Sequence, residues 1–391
     1  MKFKRTAMIN ILFIHQSAEL YGSDKTLLLL LRHIDKTRFY PVVVLPNDGP
    51  LKSELEKENI KVVIAPVLKV YRKMFTPKNL FKFIKDIKKG VDALDILNNQ
   101  HHFDIVYSNT LAVLLGIIYA KKRKIKHLWH VHEIIVHPKS IASIFPKILM
   151  RYSNLVICNS NATEKNLTDR VPELKSKTTV IYNGMELNAE NKAIAQKTDF
   201  GFKATDIIIT LVGRISRLKG HKLLLDVFTN HISKNENVKL LFVGSPVEGQ
   251  EYYLDEIQNS IITNKLQTKV KTLPFLNDLN DIWAVTDIAI MPSTEAESFG
   301  LVAVEAMLAK KPVVASNLGG LSEIVINNET GFLFDPNNKE ALSEVLFKLI
   351  ENPSLRSEFG EKGYERVIRE FSVEKHVKNF EAVFENFQEN F

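Results

Sequence analysis

Residues 292–305 read PSTEAESFGLVAVE, and the chain runs on as AMLAKKPVVASNLGG to Gly320. An apolar strand, Asp287–Met291, leads into this stretch. Small and acidic residues then turn the chain, an apolar helix-forming run begins at Leu301, and a second strand, Pro312–Ala315, runs up to Gly319-Gly320. Strand, loop, helix and strand in that order form the crossover unit of a parallel sheet. Gly300 has no side chain to hold a ligand away, and the first N–H groups of the helix behind it lack backbone partners and favour an anion. Glu297 and Glu305 bracket the turn, and carboxylates accept hydrogen bonds from neutral polyols. The stretch therefore predicts a phosphate at Gly300–Leu301 with a hydroxyl-binding glutamate on either side. The bland alternative is a capping Glu and a solvated helix Glu, which a pair at this spacing does not exclude by itself.

Composition sets the bounds around that unit. A chain of 391 residues exceeds one ordinary core and points to two domains. An apolar content of 45% with 25% charge is that of a soluble globular protein. The single cysteine, Cys158, excludes an internal disulfide and fits a reducing compartment, and its neighbours in LVIC make it a small buried side chain. The start, MKFKRTAMINILFIHQ, has basic residues and then an apolar run that contains Asn10 and ends at His15, with no small-residue cleavage site after it. It reads as a first strand, not a signal peptide. No uninterrupted apolar run is long enough to span a membrane, and the expected location is cytoplasmic. Charge is unevenly shared. Residues 1–190 carry 30 Lys and Arg against 17 Asp and Glu, whereas residues 191–391 carry 22 against 28. A basic first half beside an acidic second half supports two domains with different partners, the first needing an anionic partner or surface.

Strands alternate with helices on both sides of the opening stretch, so the fold class is α/β. In the first half, strands are expected at Ile9–His15, Tyr40–Leu45, Ile60–Ala65, Asp104–Ser108, His127–Glu133, Leu155–Asn159 and Thr179–Tyr182. Gly22 lies in the loop after the first, with Ser23 or Asp24 as a helix cap. Residues 66–97 break the rhythm: Val67–Phe75 is basic and aromatic, and the helix after it places Lys78, Lys82, Lys85, Lys88 and Lys89 around an apolar stripe of Leu80, Ile84, Ile87, Val91 and Leu94. Such a helix suits an anionic membrane interface or, more plainly, the flank of a sheet. HLWHVHE places His132 at a strand's carboxyl edge and His130 two residues earlier on the same face. His130, His132 and Glu133 could suggest zinc, but His-x-His-Glu on a strand lacks a third ligand of obvious spacing and no cysteine joins it. MELNAENKAIAQKTDFGF (185–202) is the expected interdomain connection. In the second half, Ile207–Val212 is followed by Gly213, Arg214, Arg217 and Lys219, a cationic loop suited to a diphosphate. Strands follow at Val238–Val243, Val270–Leu273 and Gly331–Asp335, the short backbone stretch Pro274–Leu276 around Phe275 can edge a flat ring, and from about Ala341 the chain reads as helical.

GRISRLKG (213–220), LLFVG (240–244), MPSTEAESFGLVAVEAMLAKKPVVASNLGGLSEIV (291–325) and TGFLF (330–334) together resemble the family-4, group 1 glycosyltransferases, with Glu297 and Glu305 as the Glu-x7-Glu pair. YGSDKTLLLLL, YSNT and HVHE in the first half look like the same family's signals, although Tyr21-Gly22 stands where Gly-Gly is common. The resemblance implies a GT-B architecture: two Rossmann-like parallel-sheet domains facing across a cleft, with the last helix crossing back to the first. It divides the chain into an acceptor domain at 1–185, joined by a helix at about 375–391, and a donor domain at 186–374. The implied reaction is a retaining, metal-independent transfer of a hexosyl-type sugar from a nucleotide-diphosphate sugar to a glycan or lipid-linked acceptor. That assignment points to surface polysaccharide or lipopolysaccharide synthesis, with the protein peripheral on the inner face of the membrane. No cofactor beyond the co-substrate and no nucleic acid is implied. Arg214, Lys219 and the N–H groups of Gly300 and Leu301 would face the diphosphate, Glu305 the ribose, Glu297 the transferred sugar and His132 its reacting end. Gly22, Gly213, Phe275, Ser298 and Phe299 complete the donor side, and Asn109 and His130 are acceptor-side candidates. The rival readings are a non-catalytic sugar-nucleotide or membrane-surface protein on the same fold, and a GT-B epimerase or phosphorylase. A dinucleotide oxidoreductase is excluded because no Gly-x-Gly-x-x-Gly follows the first strand.

Overall fold

The computed structural model describes residues 8–69, 77–187 and 194–389. Most of the basic aromatic stretch (70–75), the side chains of Lys78, Leu80 and Lys82, and part of the expected connection (188–193) lie outside these residues. The chain divides into two compact units. The first comprises Met1–Glu186 with Val373–Phe391, and the second Leu187–Ser372.

The first unit is a parallel sheet of β1 (Ile9–His15), β2 (Phe39–Leu45), β3 (Lys61–Ile64), β4 (Ile105–Asn109), β5 (Lys126–Val131), β6 (Leu155–Cys158) and β7 (Thr178–Val180). Their order is β3-β2-β1-β4-β5-β6-β7. Between them run α1 (Gly22–His33), α2 (Pro50–Lys57), α3 (Pro77–His101), α4 (Leu115–Arg123), α5 (Lys139–Tyr152) and α6 (Asn161–Thr168). Helices on both faces explain why the central strands are buried and mainly apolar. Ile9, Ile11 and Phe13 of β1 enter one core, and Leu12 and Ile14 enter the other, following the alternation of a strand.

The second unit repeats the plan with β8 (Ile207–Val212), β9 (Val238–Val243), β10 (Val270–Leu273), β11 (Ile288–Met291), β12 (Val313–Ser316) and β13 (Gly331–Phe334), in the order β10-β9-β8-β11-β12-β13. Its helices are α7 (His221–Val227), α8 (Tyr252–Thr263), α9 (Asn280–Val285), α10 (Leu301–Leu308), α11 (Leu321–Ile324), α12 (Lys339–Glu351) and α13 (Pro353–Glu370). The tail is not one helix. Pro353 cannot continue α12, and Asn352 caps α13 by accepting the Leu355 N–H.

The last helix, α14 (Val373–Glu389), belongs to the first unit. Phe380 and Phe384 are fully buried there, with the Phe384 ring 6.2 Å from Phe13 and 5.9 Å from Phe39. Among the described residues no helix is long and apolar enough to cross a membrane.

Candidate active site

Open parallel sheets bind ligands beyond the carboxyl ends of their strands, where the strand order reverses. In the second unit that point lies between β8 and β11. The chain leaving β8 supplies Gly213, Arg214 and Lys219, and the chain leaving β11 supplies Ser293, Glu297 and Gly300. Lys219 Nζ stands 2.9 Å from Glu297 Oε1, and the Ser293 hydroxyl donates to the same oxygen. Burial works against the Glu297 charge, but Lys219 and Ser293 outweigh it and hold the carboxyl below its ordinary pKa. Lys219, Ser293, Glu297 and Gly300 line one pocket with Met291 and Val302.

Backbone contacts fix these loops on each other. Thr294 N–H donates to the Leu218 carbonyl at 2.9 Å, the Thr294 hydroxyl donates to the Arg217 carbonyl at 3.0 Å, and Arg217 pairs with Glu295. Gly300 caps α10 with φ 115°, in the left-handed region. Gly319, at φ 58°, lies so close that an added Cβ would sit 2.3 Å from the Glu297 carbonyl, and the next N–H, that of Gly320, donates to that carbonyl at 2.7 Å. The end of β12 thereby clamps the backbone of Glu297.

The other donor-side candidates spread around this centre. Arg214 is exposed, while Leu301, Ser298 and Glu305 are half-buried. The Phe275 side chain is exposed, and its N–H donates to Ser245 Oγ at 3.0 Å. The Phe299 side chain is in the core, its ring 5.7 Å from Phe371, so a ligand there would meet its backbone only.

In the first unit the strand order reverses between β1 and β4, and their last residues, His15 and Asn109, are register partners. Asp24 Oδ1 lies 2.6 Å from His15 Nε2. His15 Nδ1 lies 2.9 Å from Asn109 Nδ2, and Asn109 Oδ1 lies 2.7 Å from His132 Nε2. His132 follows β5 and is half-buried. His130, inside the strand, is 2% exposed and lies 2.6 Å from the Tyr107 hydroxyl through Nδ1, with its ring 3.8 Å from that of His132. Burial, aided by His15 and His376, pushes the His132 pKa down to about 3, so the ring is neutral at physiological pH. Burial pushes Glu133 up to about 7, against the N–H groups of Leu111 and His132 that its carboxylate accepts. Thr110 adopts φ 84°, a costly angle for a β-branched residue, and its carbonyl accepts the Trp129 indole N–H at 2.7 Å.

Gly22 is the exposed first residue of α1, and Tyr21 is the N-cap. Asp24 caps from inside the helix, accepting the Tyr21 N–H at 2.9 Å. The sequence reading missed His15 and gave Asp24 only that capping role. The signal available was a polar residue at the carboxyl end of each of two apolar strands. Among the described residues no group of three or more His, Cys, Asp or Glu side chains is placed to hold a metal ion.

The group 1 glycosyl transferase family model matches residues 193–366, and the Glycosyltransferase Family 4 model matches residues 21–189. This chain belongs to the family-4, group 1 glycosyltransferases. Its GT-B fold is that of solved relatives. The crystal structure of Anabaena HepE in complex with UDP aligns with a TM-score of 0.82 at 25% identity, covering 97% of this chain and 100% of that one. An uncharacterised glycosyltransferase of Methanocaldococcus jannaschii is 28% identical over 85% of this chain and 86% of its own length. The lipopolysaccharide 1,2-N-acetylglucosaminetransferase of Salmonella typhimurium is 29% identical over 46% of this chain and 48% of its own. The glycosyltransferase thus carries the family's two sequence halves on its two sheets.

Proposed function

We propose that this glycosyltransferase moves a sugar from a UDP-sugar to a glycan or lipid-linked acceptor with retention of configuration, in surface polysaccharide or lipopolysaccharide synthesis. The observation that carries the reading is the Lys219–Glu297 pair beside the Gly300 turn, at the strand-order reversal of the second sheet. Breaking a glycosyl–phosphate bond gathers negative charge on the departing diphosphate, and fixed positive groups there stabilise the transition state. Lys219, Arg214 and the first N–H groups of α10 take that task, and these cations serve where other transferases use a bound metal. Glu297, anionic and oriented by Ser293, accepts hydroxyl groups of the sugar, Glu305 those of the ribose, and His132 meets the transferred sugar. The UDP in the HepE complex supports uridine as the donor base. A membrane-borne acceptor is supported by α3, which exposes Phe81 and Ile84 next to Lys85, Lys88 and Lys89.

The test is a thermal-shift panel of UDP-, GDP-, ADP- and CMP-sugars with NAD as a control, each with and without chelator. At 100 times its dissociation constant a ligand adds about 2.7 kcal/mol. The expected result is a chelator-independent shift with a UDP-sugar, lost in Arg214→Ala. No shift with any nucleotide would favour the non-catalytic reading, and a shift with NAD alone would overturn the donor assignment.

A further inference from the structure

We propose that Asp24, His15 and Asn109 are positioning residues that fix which ring nitrogen of His132 carries the proton. A carboxylate only accepts hydrogen bonds, a primary amide accepts at one end and donates at the other, and a neutral imidazole donates from one nitrogen and accepts at the other. Asp24 Oδ1, 2.6 Å from His15 Nε2, makes that nitrogen the donor. His15 Nδ1 is then an acceptor, and the Asn109 Nδ2 group points at it from 2.9 Å. The other end of the amide is an oxygen, 2.7 Å from His132 Nε2, so this nitrogen also donates. His132 is left with its acceptor lone pair on Nδ1.

Exchanging every donor and acceptor would satisfy the two bonds of Asn109 equally well. It would also turn the bare Nε2 of His15 against a carboxylate, so Asp24 alone decides the sense of the whole chain. The surroundings enforce it. His15, Asp24 and Asn109 are at most 1% exposed, which keeps bulk water from offering alternative partners. The second Asp24 oxygen is engaged by the Tyr21 N–H at 2.9 Å and by the Ser17 hydroxyl at 3.4 Å. The functional consequence rests on the reading of His132 as a ligand-contacting group: it offers a hydroxyl of the ligand an acceptor and not a donor.

Asp24→Asn tests this with an isosteric change. The new amide keeps its oxygen on the Tyr21 N–H and turns its NH2 toward His15 Nε2, which reverses every bond as far as His132. In long-range ¹H–¹⁵N correlation spectra of histidine-labelled, unliganded protein, wild type should show His15 and His132 protonated at Nε2. Asp24→Asn should show both protonated at Nδ1. Asn109→Asp, which accepts on both sides, should keep His132 protonated at Nε2. A His132 tautomer that is Nδ1–H in wild type, or unchanged in Asp24→Asn, overturns the proposal. These spectra need no substrate, so their outcome is separate from the transferase reading. In the transfer assay, Asp24→Asn should lower kcat about tenfold with an unchanged donor KM, a loss about equal to one hydrogen bond in the transition state.

Discussion

Glu297 keeps its charge in a half-buried place because Lys219 stands 2.9 Å away. Lys219→Met removes the cation and leaves the burial, so the Glu297 pKa rises. A depressed carboxyl pKa stabilises the fold above its ordinary value of 4.5, and that contribution is lost as pH falls through the folded value. In the variant the sign reverses, and an ionised Glu297 opposes folding at neutral pH. The acid limb of the pH–activity profile should therefore move to higher pH, and kcat/KM at neutral pH should fall by about a hundredfold or more. An unmoved acid limb would show that Glu297 does not work as an anion. The two sites differ in how far the sequence displays them. Lys219, Glu297, Gly300 and Glu305 sit in two contiguous motifs whose spacing is readable. His15, Asn109 and His132 are brought together only by register across the first sheet, and no fixed spacing links them.

At the scale of elements, the clamp between the end of β12 and the Glu297 loop depends on Gly319. Alanine there meets a left-handed φ of 58° and the Glu297 carbonyl at 2.3 Å. Gly249 is a matched control, with φ 79° and nothing within 4 Å of its added Cβ. Gly249→Ala should cost only the conformational penalty, about 1–2 kcal/mol, and keep activity. Gly319→Ala should lower Tm further and abolish transfer, because the loop that aims Glu297 must move. Equal effects of the two substitutions would refute the clamp. Strands were the legible elements. A strand between two layers of helices is dominated by apolar residues, so Ile9–His15, Ile207–Val212 and Val238–Val243 need no correction, and Val270–Leu273, at the edge of its sheet, keeps its bounds as well. Lys139–Tyr152 is a helix that its sequence does not announce, because Pro146 falls inside it. Leu321–Ile324 is a single turn held by its surroundings, too short to show a period.

At the scale of the whole molecule, the charge imbalance has a local expression. Phe81 and Ile84 of α3 are 74% and 60% exposed beside Lys85, Lys88 and Lys89, and Ile144 of α5 is exposed near Lys147 and Arg151. Apolar anchors ringed by cations bind an anionic lipid surface, and salt screens the attraction. The protein should pellet with phosphatidylglycerol vesicles at low salt, less so at high salt, and least after Lys85, Lys88 and Lys89 are changed to Glu. Absence of pelleting at low salt would sink the membrane-borne acceptor. The placement of α14 carries a further consequence, in the order of synthesis. Domains generally fold as they emerge from the ribosome. The second unit is one continuous segment and is complete as soon as Ser372 is made. The first unit is not: Phe13 and Phe39 precede the second unit in the chain, yet they wait for Phe380 and Phe384, which follow it, to cover them. The half made first is therefore the half finished last, and its uncovered apolar face must be kept from wrong partners while nearly two hundred residues are added.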